Sequence, residues 1–186
     1  LVIVQAGLLV ERLIAEPDVQ ALWGHDEIVG DLDLDAIDAP GPCILLSTGS
    51  INYGTLAFST PLTQRSASGE VTVTNCNVEP EDILAQGADA TSPSATWTLA
   101  GPPGPSGNMC ALGSGGVNEY GHTLNDGSLA IVALTNSNQT YQGGLAPAAN
   151  VVTDTTFHMP CSGSNGAGEL MSTSITFMAV AVVTLP

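Results

Sequence analysis

The stretch from Ile51 to Asn77 limits the possible folds most, because it contains two runs with a period of two. In the first run Ile51, Tyr53, Thr55 and Ala57 alternate with Asn52, Gly54, Leu56 and Phe58, and in the second Val71 and Val73 alternate with Thr72 and Thr74. This spacing predicts two strands, each with one face toward a core. Turn-forming residues between Pro61 and Gly69 separate the runs, so we expect them to pair as the first β-hairpin of a sandwich.

Further strand signals follow at intervals of roughly ten residues, about eight in all, as is typical of β-sandwiches. The Asp126-Gly127 pair between two apolar runs predicts a second hairpin. Trp97 lies in the short run ATWTLA and is expected in the core. The near-continuous apolar run before Leu185 predicts a strand buried on both faces. We expect an all-β, Ig-like or jelly-roll-like antiparallel sandwich with an N-terminal extension strand.

The charge balance excludes several partners. The 186 residues include 18 acidic and two basic residues, Arg12 and Arg65, which gives a net charge of -16. Nucleic acids and anionic lipids require a basic surface, so neither is an expected partner. No apolar run approaches the roughly 20 residues that a membrane-spanning helix needs. The first residue is Leu1 and no leader pattern is visible, which fits a mature secreted chain.

The four cysteines are widely spaced, which argues against a zinc site and favours disulfides formed in an oxidising compartment. Three connectivities are possible, and we prefer Cys43–Cys76 with Cys110–Cys161. Cys43 precedes the first predicted hairpin strand and Cys76 ends the second, so antiparallel pairing would bring them to one end. The predicted location is therefore extracellular or on the cell surface.

The N-terminal stretch is apolar at nearly every position to Val10. A strand fits the β-branched start and the interrupting Gly7, and a helical stem as in pilin-like subunits is the alternative. An apolar strand at a free terminus needs a partner, which is either its own sandwich or that of a neighbouring copy. We divide the chain into an N-terminal arm at 1–13, an acidic connector at 14–42 and a sandwich domain at 43–186. The predicted donor-strand residues are Leu1, Val2, Ile3, Val4, Gly7, Leu8, Leu9 and Val10.

Two polar motifs are candidate binding or modification sites. Asp31, Asp33 and Asp35 alternate with leucines and resemble part of a calcium loop, without the glycine and distal glutamate of an EF-hand. A structural calcium ion is therefore a weak hypothesis beside a solvated strand face. Asn138 begins an N-glycosylation sequon in a turn-rich segment.

No catalytic pattern is present in the sequence. The three histidines, His25, His122 and His158, are each isolated in sequence, and no serine-nucleophile elbow or H-E-x-x-H motif occurs. The glycine-rich segment at 101–116 lacks the lysine of a P-loop, since the chain has no lysine. We expect a protein that is not an enzyme and that needs no cofactor.

The order of motifs resembles a known group of surface proteins. The segments INYGTLAFST, VTVTNCNVEP, ATWTLAG, NEYGHTL, QTYQGGLAPAANVVTDTTFHMP and ITFMAVAVV are similar to Ig-like modules of extracellular fibre subunits, including TasA/camelysin-like biofilm fibres and archaeal bundling pili. The chain departs from that pattern at Asn77-Val78 and at Ala148, where a glycine is usual. The resemblance covers roughly residues 43–185.

This resemblance implies a homopolymer whose subunits each pass an N-terminal strand into the next copy. We therefore predict a filament subunit that binds other copies of itself. The alternatives are an adhesin, surface-layer or viral coat module that binds a surface receptor or matrix, and a pilin with a helical N-terminal stem.

Overall fold

The computed structural model describes residues 2–11, 41–60, 62–100, 108–110, 116–127 and 131–182, with backbone alone for 2–11. Every regular element in these ranges is a strand. In chain order the strands are β1 Val2–Glu11, β2 Ile44–Leu46, β3 Ser50–Leu56, β4 Ser66–Asn75, β5 Glu81–Gly87, β6 Ala90–Thr91, β7 Thr96–Leu99, β8 Glu119–Asn125, β9 Ile131–Ala133, β10 Gln139–Leu145, β11 Asn150–His158 and β12 Leu170–Ala181.

The strands form the two layers of a sandwich, which confirms the predicted fold class. The first layer has the order β10-β5-β12-β1-β3, and β6 also pairs with β12. The second layer has the order β2-β4-β11-β8-β9. Strand β7 joins the layers because it pairs with both β6 and β8. The arrangement is mixed rather than purely antiparallel, since β1 runs parallel to β12 and β7 runs parallel to β8.

The core lies between the layers and is filled by alternate side chains of the facing strands. On β12 the residues Met171, Ile175 and Phe177 are buried, while on β11 the central buried ring is Phe157. Phe157 stacks on Tyr120 of β8, with ring centroids 4.8 Å apart. Fully buried side chains of this size each contribute about 1.5–3 kcal/mol of hydrophobic free energy. The period-two pattern of the sequence therefore places one face of each layer in a common core.

Trp97 is fully buried on β7, as predicted, and its indole N–H donates to the carbonyl of Asn165 at 2.9 Å. The predicted hairpin at Asp126-Gly127 is also confirmed, because β8 and β9 pair antiparallel on either side of it. Gly127 has a φ of 81° at this turn, a conformation that glycine adopts without strain.

The first predicted hairpin is wrong. The two runs are strands, but β3 pairs with β1 in the first layer, whereas β4 pairs with β11 and β2 in the second. The connection between them therefore crosses from one layer to the other. Alternation specifies which side chains face the core, and both pairings satisfy that requirement.

The helical-stem interpretation is wrong for residues Val2–Glu11, which form a strand. The β-branched start of this segment favours a pleated conformation, and two neighbouring strands supply its backbone hydrogen bonds. Leu1 and residues 12–40 lie outside the described residues. They include the end of the predicted arm, most of the connector, the calcium candidates Asp31, Asp33 and Asp35, and His25.

Candidate strand-exchange site

The N-terminal strand fills a gap in the first layer that we call the exchange groove, defined by β12 on one side and β3 on the other. Along β12 the parallel register runs from Ile3 opposite Leu170 to Glu11 opposite Met178. Along β3 the antiparallel register runs from Val2 opposite Leu56 to Gly7 opposite Ser50. Among the described strands β3 pairs with β1 alone, so β3 belongs to the layer only through β1. All of this pairing occurs within one chain.

A bulge in β3 fixes the register of the strand in the groove. Val4 lies opposite Gly54 and Gln5 lies opposite Asn52, so Tyr53 between them has no partner residue on β1. Gly54 has a φ of 73°, and its N–H donates to the side-chain oxygen of Asn52 at 2.8 Å. A bulge of this kind changes which residues of a strand face the core. Ile51 and Tyr53 are buried before it, whereas Leu56 and Phe58 pack against the core after it.

Tyr53 connects β3 to the opposite layer through a directed chain of hydrogen bonds. The Thr155 hydroxyl donates to the carbonyl of Gly69 at 3.1 Å and accepts from the Tyr53 hydroxyl at 2.7 Å. With its proton used in that way, the Tyr53 oxygen accepts from Nε2 of His122, 2.8 Å away. This order leaves Nδ1 of His122 without a proton, and among the described residues that atom has no hydrogen-bond partner.

Burial controls the ionisation of this chain. Desolvation, with a smaller repulsion from His158, lowers the pKa of His122 to about 3. Desolvation likewise raises the pKa of the Tyr53 hydroxyl well above its usual range, against a smaller opposing effect of its bond to Thr155. Both groups are therefore neutral at physiological pH. The chain acts as a neutral polar anchor beneath β3 rather than as an acid-base pair.

The two layers approach closely beside this anchor. A Cβ atom built on Gly69 of β4 would lie 2.3 Å from Cγ2 of Ile51 on β3. Only glycine fits at that point, since real side-chain contacts do not become so short. Gly69 therefore lets Ile51 and Tyr53 of β3 pack directly on the second layer.

The base of the groove is where β1 ends and where the sandwich domain begins. Glu11 lies opposite Met178, and on the other side of β12 Glu81 lies opposite Ala181. Glu11 and Glu81 are separated by two strand spacings across the sheet and by three residues along it, a distance of about 14 Å. The backbone N–H of Cys43 donates to Oε1 of Glu81 at 2.8 Å. Glu11 and Cys43, which the linking segment of residues 12–42 joins, therefore lie within about 20 Å of each other.

The linking segment is far longer than this distance requires. A fully extended chain covers at most about 3.3–3.6 Å per residue, so residues 12–42 can reach about 100 Å. A segment of that length can deliver β1 to the groove of its own domain or to that of another copy.

The disulfides have the connectivity preferred from the sequence, Cys43–Cys76 and Cys110–Cys161. The antiparallel neighbours that bring the first pair together are β2 and β4, with Ile44 opposite Asn75, rather than the predicted hairpin strands. The N–H of Cys76 also donates to the carbonyl of Cys43 at 3.0 Å.

The remaining candidates do not converge on one site. Asn138 is exposed just before β10, where a glycan remains a prediction. His122 faces the core, whereas His158 is half-buried and contacts Thr123 at 3.3 Å. Within the described ranges no three His, Cys, Asp or Glu side chains are grouped closely enough to hold a metal ion.

Glu81 was not singled out from the sequence, although the structure buries it completely. Glu81 begins an alternating segment and shares the buried face of β5 with Ile83 and Ala85, and this period was the available signal.

The part of the chain described by the structure contains no helix long and apolar enough to cross a membrane. No protein-family model matches the sequence, and no curated protein matches it significantly. Functional conclusions therefore depend on the geometry of the exchange groove and on the chemistry of the chain.

Proposed function

We propose that this chain is a structural subunit of an extracellular filament of the pilus or biofilm-fibre type, in which β1 of one copy occupies the exchange groove of the next. The observation that carries the proposal is the position of β1 between β12 and β3, joined to the domain through a segment long enough to reach a second copy. Addition of a strand from another chain to a gap in a sheet is an established form of assembly.

In one chain the groove is filled by the chain's own β1, and we assign this arrangement to the unassembled subunit. A strand from a second copy would make the same backbone pairs with β12 and β3, so exchange keeps every hydrogen bond of the groove. Swapping of an identical element between copies is a low-cost route to oligomers, and a head-to-tail arrangement extends without closure. The groove thus supports a polymer without requiring a different fold.

The two disulfides support a secreted location, because such bonds persist in oxidising compartments. A subunit outside the cell has no energy source for assembly other than binding. Strand exchange is compatible with that condition, because it breaks and remakes the same backbone pairing of β1 with β12 and β3.

A trans-specific cross-link tests the proposal. One variant carries Gln5→Cys and a second carries Asn52→Cys, because Gln5 lies opposite Asn52 in the β1–β3 register. The two variants are unfolded in urea with their disulfides intact, mixed and refolded together. We expect a covalent heterodimer, which forms only if β1 of one copy enters the groove of the other. Negative-stain microscopy of the wild-type chain should show longer polymers.

A Thr98→Cys variant replaces Asn52→Cys as the matched control, because Thr98 is also exposed but lies on β7. It should give no heterodimer with the Gln5→Cys variant. Strand exchange would be refuted if the groove pair gave no heterodimer at any protein concentration while a Gln5→Cys/Asn52→Cys double variant formed its intrachain bond efficiently.

The second candidate function is a self-contained surface module, such as an adhesin or coat domain. The intrachain pairing of β1 favours it, since such a module keeps its own strand. It predicts a monomer by size-exclusion chromatography after the same refolding.

A further inference from the structure

In the proposed filament, tension enters each subunit at Cys43. The linking segment runs from a strand held in the neighbour's groove to this residue, so a pull along the filament acts first on the start of the sandwich domain. The next elements in the chain are β2 and β3. The role of these elements in a filament rests on the proposed function, although the contacts that hold them lie within one chain.

Neither β2 nor β3 is well suited to carry that tension. Strand β2 is held by three residue pairs with β4, from Ile44 opposite Asn75 to Leu46 opposite Val73. Strand β3 follows within a few residues and forms one wall of the exchange groove. A pull transmitted along the backbone from Cys43 would detach β2 first and then β3, and loss of β3 would open the groove of the same subunit.

The Cys43–Cys76 disulfide bypasses both strands. It closes a loop with a sequence separation of 33 that contains β2, β3 and β4. Tension therefore passes from Cys43 directly to Cys76, and from there along four residues to Glu81 at the start of β5. Strand β5 pairs with β12, the other wall of the groove, from Glu81 opposite Ala181 to Gly87 opposite Ile175.

A buried hydrogen-bond network reinforces the same connection. Glu81 is fully buried, and its Oε1 atom accepts both the backbone N–H of Cys43 and the side-chain N–H of Asn77, each at 2.8 Å. The side chain of Asn75 donates to the carbonyls of Glu79 and Leu145, at 2.9 Å and 2.8 Å. The segment around Cys76 is thus fixed to β5 and β10 as well as to β4.

We propose that the Cys43–Cys76 disulfide and Glu81 form a mechanical clamp that directs tension into β5 and β12 and keeps it off the groove wall β3. The clamp lies at the point where the linking segment enters the domain. It keeps the groove closed on a neighbour's strand while the filament is pulled.

The second disulfide provides a matched control. Cys110–Cys161 closes a loop that contains β8 to β11 and excludes β3, β5 and β12. Its loss should lower stability in general without opening a path for tension through β2 and β3.

Single-molecule force spectroscopy tests the clamp in the monomer. Azide-bearing residues at positions 15 and 170 attach the handles, so that the load runs along β5 and β12 rather than across their paired ends at Glu81 and Ala181. The Cys110→Ala/Cys161→Ala variant retains the Cys43–Cys76 bond alone. The same molecules are pulled before and after reduction of that bond. After reduction we expect the first extension at a lower force, with a length gain of about 75 Å for the release of β2 and β3 up to Ser66, and a total of about 110 Å once β4 also detaches.

A Cys43→Ala/Cys76→Ala variant should show the same early extension without a reductant. The clamp would be overturned by a first event at unchanged force after reduction, or by one that releases more chain than the loop contains. The monomer measurement is independent of polymer formation, so it separates this inference from the cross-linking test of strand exchange. Where filaments form, reduction should also lower their rupture force.

Discussion

Replacement of His122 should remove a large part of the acid sensitivity of this fold. The buried imidazole has a pKa of about 3 in the folded chain, against an ordinary value of 6.5. Above pH 6.5 it is neutral in both folded and unfolded states and contributes no pH dependence. Below pH 6.5 the unfolded chain binds a proton that the folded chain does not, so stability falls as the pH is lowered toward 3.

The size of the effect follows from these two values. At pH 5 protonation favours the unfolded state by about 2 kcal/mol for this one histidine, because the imidazole is almost fully protonated there only when unfolded. The charge has no available acceptor in the fold, since Nδ1 lacks a partner among the described residues. Carboxylates begin to titrate below pH 5, so the informative range is pH 7.5 to 5.

The measurement compares urea unfolding of the wild type and His122→Gln, followed by the fluorescence of the buried Trp97. The glutamine side chain can still donate to Tyr53 but cannot be protonated. Between pH 7.5 and 5 the wild type should lose about 2 kcal/mol more unfolding free energy than the variant. His158, whose pKa burial also lowers, is present in both proteins and cancels. Parallel pH profiles of the two proteins would refute the assignment of His122 as a buried neutral group.

Four further changes have defined outcomes. Gly69→Ala should lower the unfolding free energy by about 1–3 kcal/mol in urea titration, because its Cβ meets Ile51, whereas the neighbouring Ser68→Ala should change little. Ala148→Gly should raise the melting temperature by relieving a φ of 57°, a gain of about 0.5–1 kcal/mol. Glu70→Lys should stabilise by several tenths to about 1 kcal/mol at low salt, since Glu70 lies directly opposite Asp154, and added salt should reduce the gain. The yield of the trans cross-link should rise between about 0.05 and 1 M NaCl, because two copies of net charge -16 repel until screened.

The sequence predicts the class of fold well because alternation and burial coincide. Ile51, Tyr53, Val71 and Val73 face the core, as their period requires, whereas Thr55 and Ala57 of the first run are exposed because the bulge at Gly54 reverses the faces. The preferred disulfide pairing is also the observed one. Cys43 precedes β2 and Cys76 follows β4, and these two strands pair antiparallel, so the two cysteines meet at one end. Local patterns specify faces and ends, and these features do not depend on which strands are paired.

Strand partners could not be predicted in the same way. The turn residues between β3 and β4 permit a hairpin, but the approach of Ile51 to Gly69 places these strands face to face in different layers. Glu81 lies in an acidic cluster of the sequence, and only the folded chain brings Cys43 and Asn77 to its carboxylate. Such contacts join residues distant in sequence, and a period of two contains no information about them.

The balance between the chain's own strand and a neighbour's strand is set by the linking segment. Contacts within the groove are the same in both cases, so they cannot favour either. Tethering through the linking segment gives β1 an effective concentration in the millimolar range, so at micromolar protein the intrachain strand is favoured by about 4 kcal/mol. Filament growth must offset this difference through contacts between domains, and those contacts must also overcome the repulsion of two acidic surfaces. Dilute protein should therefore remain monomeric, while refolding at high protein and salt concentrations should give polymers whose joints exchange slowly.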